Sequence, residues 1–440
     1  MIKLAKNTIR TRWFHSCASA KWHARSLVLA VICTYVIWLP VLTRPMGTTY
    51  DAIIEIQGFR EICTPEEVWS GWPQNADDMA SSLGSFAPSL PQYTIQRSAC
   101  AISSFTQIER RKCYILIGVL LTCLSAYFSG TSLGIDRYAA SWSAVAIACA
   151  PCSFSRVAHL ALSQCWAIPP MVMLSVLLLK ERTCETDRST SVMGREGLVL
   201  GLSVGLMSFT AQEYWCVLNI LIVALAFIIG VCWRGNTHTW AKIRNKKLLR
   251  MVIGYAASMS LFLASKNLLW NIPESAVKAT ERTPYEQFLY GFWPIQLFSS
   301  PIFNNELARR FMEAKLPMTE TPFGSSGGVL ILVSYAIAFW SVKRYLKTEQ
   351  KVTGRAEIGK LRYSKRLTLL FGLVTLLISA FALSFAVAGG LGTAFAIYVT
   401  PQLRALNRMT PYIYIPAVYT VACWLYSVGL EGYEKVRGRG

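Results

Sequence analysis

The sequence predicts an all-α integral membrane protein of about ten transmembrane helices with two larger outer loops. Three observations predict it. Of the 440 residues, 53% are hydrophobic and only 15% charged, and the mean hydropathy is +0.37, far too apolar for an ordinary soluble domain. Several windows approach the roughly 20 apolar residues that a helix needs to cross about 30 Å of hydrocarbon. Most of the 44 Lys and Arg residues also fall in five segments that alternate, one pair of apolar stretches at a time, with segments poor in base. That is the asymmetry of a multi-span chain whose cytoplasmic loops carry the positive charge.

Taken in order, the apolar spans are 26–43, 113–134, 138–155, 162–180, 197–211, 214–233, 251–270, 328–342, 367–388 and 411–430. The basic segments are 1–25, with Lys3, Lys6, Arg10, Arg12, Lys21 and Arg25 and no acid, then 180–195, 234–250, 343–366 and 431–440. An even number of crossings places both termini in the cytoplasm, with the chain in the inner (cytoplasmic) membrane. Arg137, in the short turn Leu133-Gly134-Ile135-Asp136-Arg137, agrees with that orientation. Arg110-Arg111-Lys112 opposes it, because the scheme leaves this cluster outside. The first span follows a long basic region, and no small-residue cleavage site follows Pro40 and Pro45, so a retained helix is expected rather than a signal peptide. The domains are therefore a basic cytoplasmic segment 1–25, a membrane domain 26–430 and a cytoplasmic tail 431–440. The net charge of +20 raises nucleic acid as a partner. The basic residues, however, sit beside apolar spans without stacking aromatics between them, so no nucleic acid is expected.

Two outer loops, 44–112 and 271–327, are long enough to hold structure. In the first, Ala52, Ile53, Ile56, Phe59 and Ile62 recur at helical spacing with a polar opposite face, the pattern of a helix lying along the membrane surface. Gly71-Trp72-Pro73 and the Ser/Pro-rich 81–91 read as irregular chain, and Pro88, Pro91 and Arg97 exclude a span over 85–105. The second loop holds Tyr285 to Phe298, an amphipathic run from Asn304 to Lys315, and the turn-rich Pro317 to Gly328. Thirteen cysteines are too scattered for a secreted disulfide framework. Cys63 and Cys100 share the first outer loop and are candidates for a pair. Cys149-Ala150-Pro151-Cys152 has the spacing of a redox motif but lies in an apolar helix, where packing is the expected role.

Ionisable residues at membrane depth cost several kcal/mol on insertion scales, so each one retained near the outer face is a functional candidate. Asp51 follows the first span, either as a working carboxylate or as an N-terminal acid complementing the macrodipole of the surface helix. Asn75-Ala76-Asp77-Asp78 offers carboxylates for a divalent cation or an acceptor hydroxyl, against the plain reading of solvated loop acids. Arg156 and His159, three apart, share one helical face. Arg404 and Arg408, spaced i, i+4, follow Gly389-Gly390-Leu391-Gly392 and Pro401. Guanidiniums that stay charged and bind bidentately suit phosphate or pyrophosphate, with snorkelling to the outer leaflet as the alternative. Gln212-Glu213-Tyr214 and Glu320 add groups to the same side. Together these supply acids for base catalysis and cations for an anionic leaving group, the equipment of group transfer from a phosphate ester.

The order of these clusters resembles that of the bacterial phosphoglycerol-transferase-like membrane proteins, whose membrane part is similar to a GT-C class glycosyltransferase. The likeness runs from about residue 26 to 430. The family segments Y-x-G-D-A-L and G-W-P-x-G-x-D correspond to Thr49-Tyr50-Asp51-Ala52-Ile53 and to Gly71-Trp72-Pro73-Gln74-Asn75-Ala76-Asp77, without the glycine before the acid. The segment R-G-x-G-H-L-x-L-S resembles Arg156-Val157-Ala158-His159-Leu160-Ala161-Leu162-Ser163, with Ala158 where the family has glycine. Arg282 to Glu286, Tyr290-Gly291 and Pro317-Met318-Thr319-Glu320-Thr321 resemble the second outer loop, with threonine on both sides of the glutamate where asparagine is preferred. The best match runs from Gly389-Gly390-Leu391-Gly392 to Pro401-Gln402-Leu403-Arg404-Ala405-Leu406-Asn407-Arg408.

The resemblance implies an enzyme that takes a sugar from a polyprenyl-phosphate-linked donor within the membrane lipid and delivers it to an outer-face glycan or lipid acceptor. Transfer of a phosphoglycerol unit is the related alternative, and a non-catalytic transporter or flippase of the same lipid-linked sugar the unrelated one. It implies Asp51 as the base, Asp77 in support, and Arg404, Arg408 and His159 on the lipid phosphate. Arg156, Glu320 and Tyr214 are the remaining candidate substrate contacts. The cofactor is undefined beyond a divalent cation at the Asn75 to Asp78 carboxylates, and no metal ligand set is assigned.

Overall fold

The computed structural model describes residues 23–40, 43, 107–155, 165–180, 193–209, 213–232, 246–269, 328–349, 359–386, 390–398 and 409–437. Regular structure among them is helical throughout. The elements are α1 His23–Pro40, α2 Gln107–Ser132, α3 Arg137–Ala148, α4 Pro151–Ser155, α5 Ile168–Lys180, α6 Met193–Phe209, α7 Glu213–Cys232, α8 Lys246–Leu269, α9 Gly328–Glu349, α10 Gly359–Ala386, α11 Leu391–Tyr398 and α12 Thr410–Arg437. Each expected apolar span overlaps helix among the described residues. Four stretches, His23–Pro40, Lys112–Ser132, Thr368–Phe385 and Thr410–Gly429, are long and apolar enough to cross a bilayer. The apolar parts of α5 to α9 are shorter.

Proline and glycine place the breaks. The segment expected as one helix over 138–155 is two, α3 and α4, parted at Cys149 and Ala150. Pro151 has no N–H to continue the α3 ladder, yet its fixed φ suits the first position of α4. Alone, the 12 residues of α3 span about 18 Å, short of the hydrocarbon thickness. Likewise α5 begins at Ile168 rather than near 162, so Pro169 and Pro170 occupy its first turn, where a missing N–H costs nothing. Between α2 and α3, Gly134 takes the left-handed conformation (φ 84°) and its N–H reaches the Thr131 carbonyl at 2.9 Å. Asp136 then caps α3 by accepting from the Tyr138 N–H at 2.9 Å. One helix was not expected: α11 follows Gly390 directly, its Phe395 ring 5.6 Å from Phe385 of α10.

The core lies around α5. Ile168, Met171, Val172, Leu174, Val176 and Leu178 cover every face of this short helix and all are fully buried, as befits a helix apolar all round. It touches α2, α6, α7, α10 and α12. At the edge, α1 keeps Ser26, Ala30, Thr34 and Trp38, four apart, against the bundle and turns Val28, Leu29, Ile32, Val36 and Leu39 outward.

Side-chain bonds fix how the helices run. His23 and Ser26, at the start of α1, meet the Tyr127 hydroxyl near the end of α2, His23 Nδ1 at 2.9 Å. Ser141 of α3 donates to the Ser26 carbonyl at 3.1 Å. At the other end of α1, the Trp38 indole N–H donates to the Ala148 carbonyl at 3.0 Å. Hence α1 is antiparallel to α2 and parallel to α3. Helix α12 runs against α3, since Tyr414 bonds the Ala146 carbonyl at 3.3 Å while Tyr426 faces Asp136. By contrast α6 and α8 run parallel and very close. The small residues Gly201 and Gly205 on one, and Gly254 and Ser258 on the other, repeat every four positions, so each set lines a single face. A Cβ on Gly201 would meet the Met251 carbonyl oxygen, and one on Gly205 would meet Ser258 Cβ.

Candidate functional site

Call the end of the bundle where α1 finishes the exit end. It is built from α1, α3, α7 and α12. The C-terminal turn of α3 carries carbonyls that its own ladder leaves exposed, and two side chains serve them: Trp38 bonds Ala148 and Tyr414 bonds Ala146. Two residues earlier on α12, the Tyr412 hydroxyl donates to Asn219 Oδ1 of α7 at 2.8 Å, with the Trp215 carbonyl at 3.1 Å. The Asn219 amide in turn donates to Ser208 Oγ at 3.0 Å, and Ser208 donates to the Val204 carbonyl at 3.1 Å. The Trp215 and Tyr412 rings lie 5.8 Å apart, tilted. Tyr412, Asn219, Ser208 and Trp38 are all fully buried.

These groups tie helix ends together with neutral hydrogen bonds, which is what buried polar atoms at membrane depth require. None of them is an acid or a base near neutral pH. Among the described residues no group of three His, Cys, Asp or Glu is placed to hold a metal ion.

The sequence-predicted site residues stand mostly outside this frame. Asp51, Asp77, Arg156, His159, Glu320, Arg404 and Arg408 lie outside the described residues, as do the surface helix over 52–62, the Asn75 to Asp78 carboxylates and the Cys63–Cys100 candidate pair. Tyr214 falls in the first turn of α7. What the structure does bring together is the described chain next to three of those clusters. Trp38 precedes Asp51, Cys152 and Ser153 precede Arg156 and His159, and Tyr412 follows Arg404 and Arg408, all in elements that meet at the exit end.

Sequence reasoning missed Trp38, Ser208, Asn219, Tyr412 and Tyr414. For Asn219 a signal was there: it is an amide inside Val217-Leu218-Asn219-Ile220, in the middle of an apolar run, and such a group needs a buried partner. Cys149 and Cys152 do not face one another as a redox pair. Cys149 Sγ lies 4.0 Å from the Thr34 carbonyl oxygen, and Cys149 and Cys152 are both free thiols. No protein-family model matches this chain, and neither a curated protein nor a solved structure matches it.

Proposed function

We propose that the chain is a membrane transferase of GT-C type, which moves a sugar from a polyprenyl-phosphate carrier to a glycan or lipid acceptor on the outer side of the inner membrane. The observation that supports this reading is the meeting, at the exit end, of the helices that lead into Asp51, into Arg156 and His159, and out of Arg404 and Arg408. Those clusters are distant in sequence, and a transfer site needs a carboxylate and phosphate-binding cations in one place. The distribution of Lys and Arg turns this end away from the cytoplasm.

In this scheme Asp51 takes the proton from an acceptor hydroxyl as its oxygen bonds to the anomeric carbon from the face opposite the carrier. The bond from that carbon to the phosphate oxygen breaks with inversion. Arg404 and Arg408 hold the departing polyprenyl phosphate as a doubly hydrogen-bonded anion. Asp77 orients the acceptor, and His159 with Arg156 adds donors to the phosphate. A divalent cation at Asn75 to Asp78 would lend further charge stabilisation.

The test is turnover with labelled polyprenyl-phosphate sugars, comparing the native chain with Asp51→Asn and Arg404→Ala. Removing a general base lowers turnover by about 10² to 10⁴-fold, so Asp51→Asn is expected to lose at least that much while still binding the lipid. Arg404→Ala is expected to weaken lipid binding. Native turnover by Asp51→Asn would remove the proposed base, and lipid translocation that ignores Asp51 altogether would favour the flippase.

A further inference from the structure

We infer that the end of the bundle where α1 and α3 begin is a docking patch for an anionic glycerophospholipid, its phosphate held by Arg25 and Arg137 and its acyl chains laid along the outward face of α1. The two first turns are neighbours. The Ser141 hydroxyl of α3 reaches the Ser26 carbonyl of α1 at 3.1 Å and the Arg137 carbonyl at 2.8 Å. The carbonyl of Arg137 and that of the residue after Arg25 thus share one hydroxyl. On the bundle side, Tyr127 fixes the start of α1 through His23 Nδ1 at 2.9 Å and the Ser26 hydroxyl at 3.1 Å.

The side chains around this junction are sorted as a headgroup contact requires. Arg25 is exposed and shares a face of α1 with Leu29 and Ile32, which are 60% and 53% exposed. Arg137 is half-buried, its guanidinium 5.1 Å from the centre of the Tyr138 ring, a cation–π contact that holds it beside its own helix. Tyr138 and Trp142, four apart on the flank of α3, are 52% and 71% exposed. Rings with an apolar body and one polar atom favour the depth where acyl chains give way to headgroups. Down the bundle the order is therefore cation, amphipathic ring and aliphatic side chain, matching phosphate, glycerol and acyl chain. Asp136, the carboxylate between these turns, accepts from the Tyr138 N–H as the cap of α3.

Charge decides which lipid fits. A phosphodiester without an amine keeps its negative charge, whereas choline or ethanolamine offsets it with a cation that the arginines repel. Each arginine near the headgroups is worth roughly fivefold in affinity. The inference names a depth in the bilayer and holds for either leaflet that carries anionic lipid. It does not require transferase activity.

The full chain, purified in a mild detergent, is mixed with equal amounts of phosphatidylglycerol and phosphatidylcholine, and the retained lipids are weighed by native mass spectrometry. The native chain is expected to retain phosphatidylglycerol in preference. Arg25→Gln with Arg137→Gln should lower that retention by roughly tenfold or more. Arg250→Gln with Lys343→Gln, which removes the same charge from exposed positions on α8 and α9, should leave it near the native value. Arg25→Gln alone should lower it roughly fivefold, which keeps the test decisive if the double variant fails to fold. Excess inorganic phosphate should not displace the lipid, because the acyl chains anchor it to α1. Equal retention of the two lipids by the native chain, equal loss from the two double variants, or ready displacement by phosphate would each overturn the inference. The readout is a bound mass and not a turnover, so a catalytically silent chain leaves it unaffected.

Discussion

A single side-chain hydrogen bond in this bundle is worth what its acceptor would lack without it. The Tyr419 hydroxyl donates to the Ala126 carbonyl at 2.7 Å, but that carbonyl sits inside α2 and already serves the helix ladder. Trp38 donates to Ala148 at the last turn of α3, where the ladder has ended. Tyr419→Phe is therefore expected to cost roughly 0.6 kcal/mol, the usual size of an interhelical bond in membranes. Trp38→Phe, which takes the donor from a helix-end carbonyl, is expected to cost about 1–3 kcal/mol. Unfolding of the detergent-solubilised chain by a graded increase in dodecyl sulfate would rank the two, and equal costs would contradict this account. Little of this was legible in the sequence. Trp38 and Ala148 are 110 positions apart, and an indole at the end of an apolar span reads equally well as an interface anchor. Asn219 was legible as a buried amide, though its partners Ser208 and Tyr412 were not.

At the level of elements, closeness between helices follows from the absence of side chains. Gly205 leaves α6 so near α8 that an added Cβ would collide with Ser258 Cβ and lie 3.2 Å from the Tyr255 carbonyl. Gly429, near the end of α12, has nothing within 4 Å of the same position. Gly205→Val should thus force the helices apart at a cost of about 1–3 kcal/mol or more, while Gly429→Ala should be neutral or slightly stabilising, since alanine favours helix by up to about 1 kcal/mol. Thermal aggregation of each variant in detergent checks the pair, and a stable Gly205→Val would show that the α6–α8 approach is not as close as described. The spacing Gly201-Leu202-Ser203-Val204-Gly205 is visible in the sequence. The partner is not, because parallel helices separated by a third leave no local register to read. Proline breaks were within reach: Pro151 and Pro169-Pro170 sit where the helices begin, but an apolar run hides them when hydropathy alone sets the boundaries. Glycines hid α11 in the same way, since Gly389-Gly390-Leu391-Gly392 signals a bend and says nothing of the apolar 394–398 that follows.

For the whole molecule, the charge pattern predicts a direction for each helix, and packing gives relative directions to set beside it. The basic segments 180–195 and 234–250 precede α6 and α8, so the charge pattern starts both helices from the same side. The close small-residue contacts between them are parallel, as that requires. Ser208, late in α6, accepts from the Asn219 amide, early in α7, so the end of one helix meets the start of the next. The candidate site was less legible than this frame: its acids and arginines lie outside the described residues, and composition marks a side of the membrane but no geometry. One cluster opposes the scheme, Arg110-Arg111-Lys112 in the opening turns of α2, at the end where Tyr35 bonds the Leu116 carbonyl at 3.3 Å and α1 finishes. Basic residues outside oppose insertion, yet α2 is held by α1 through Tyr127 and by α12 through Ala126. Packing on both sides should outweigh three flanking charges, since the bias set by the first helix and its acid-free basic segment normally dominates. Alkaline phosphatase fused after Thr43 is therefore expected to be active and a fusion after Arg437 inactive, with fluorescent-protein fusions giving the inverse. Replacing Arg110, Arg111 and Lys112 together by serine should leave both readings unchanged, whereas replacing Lys3, Lys6, Arg10, Arg12, Lys21 and Arg25 should mix them. An inactive Thr43 fusion in the native chain would turn the exit end toward the cytoplasm and take the proposed transfer site away from its acceptor.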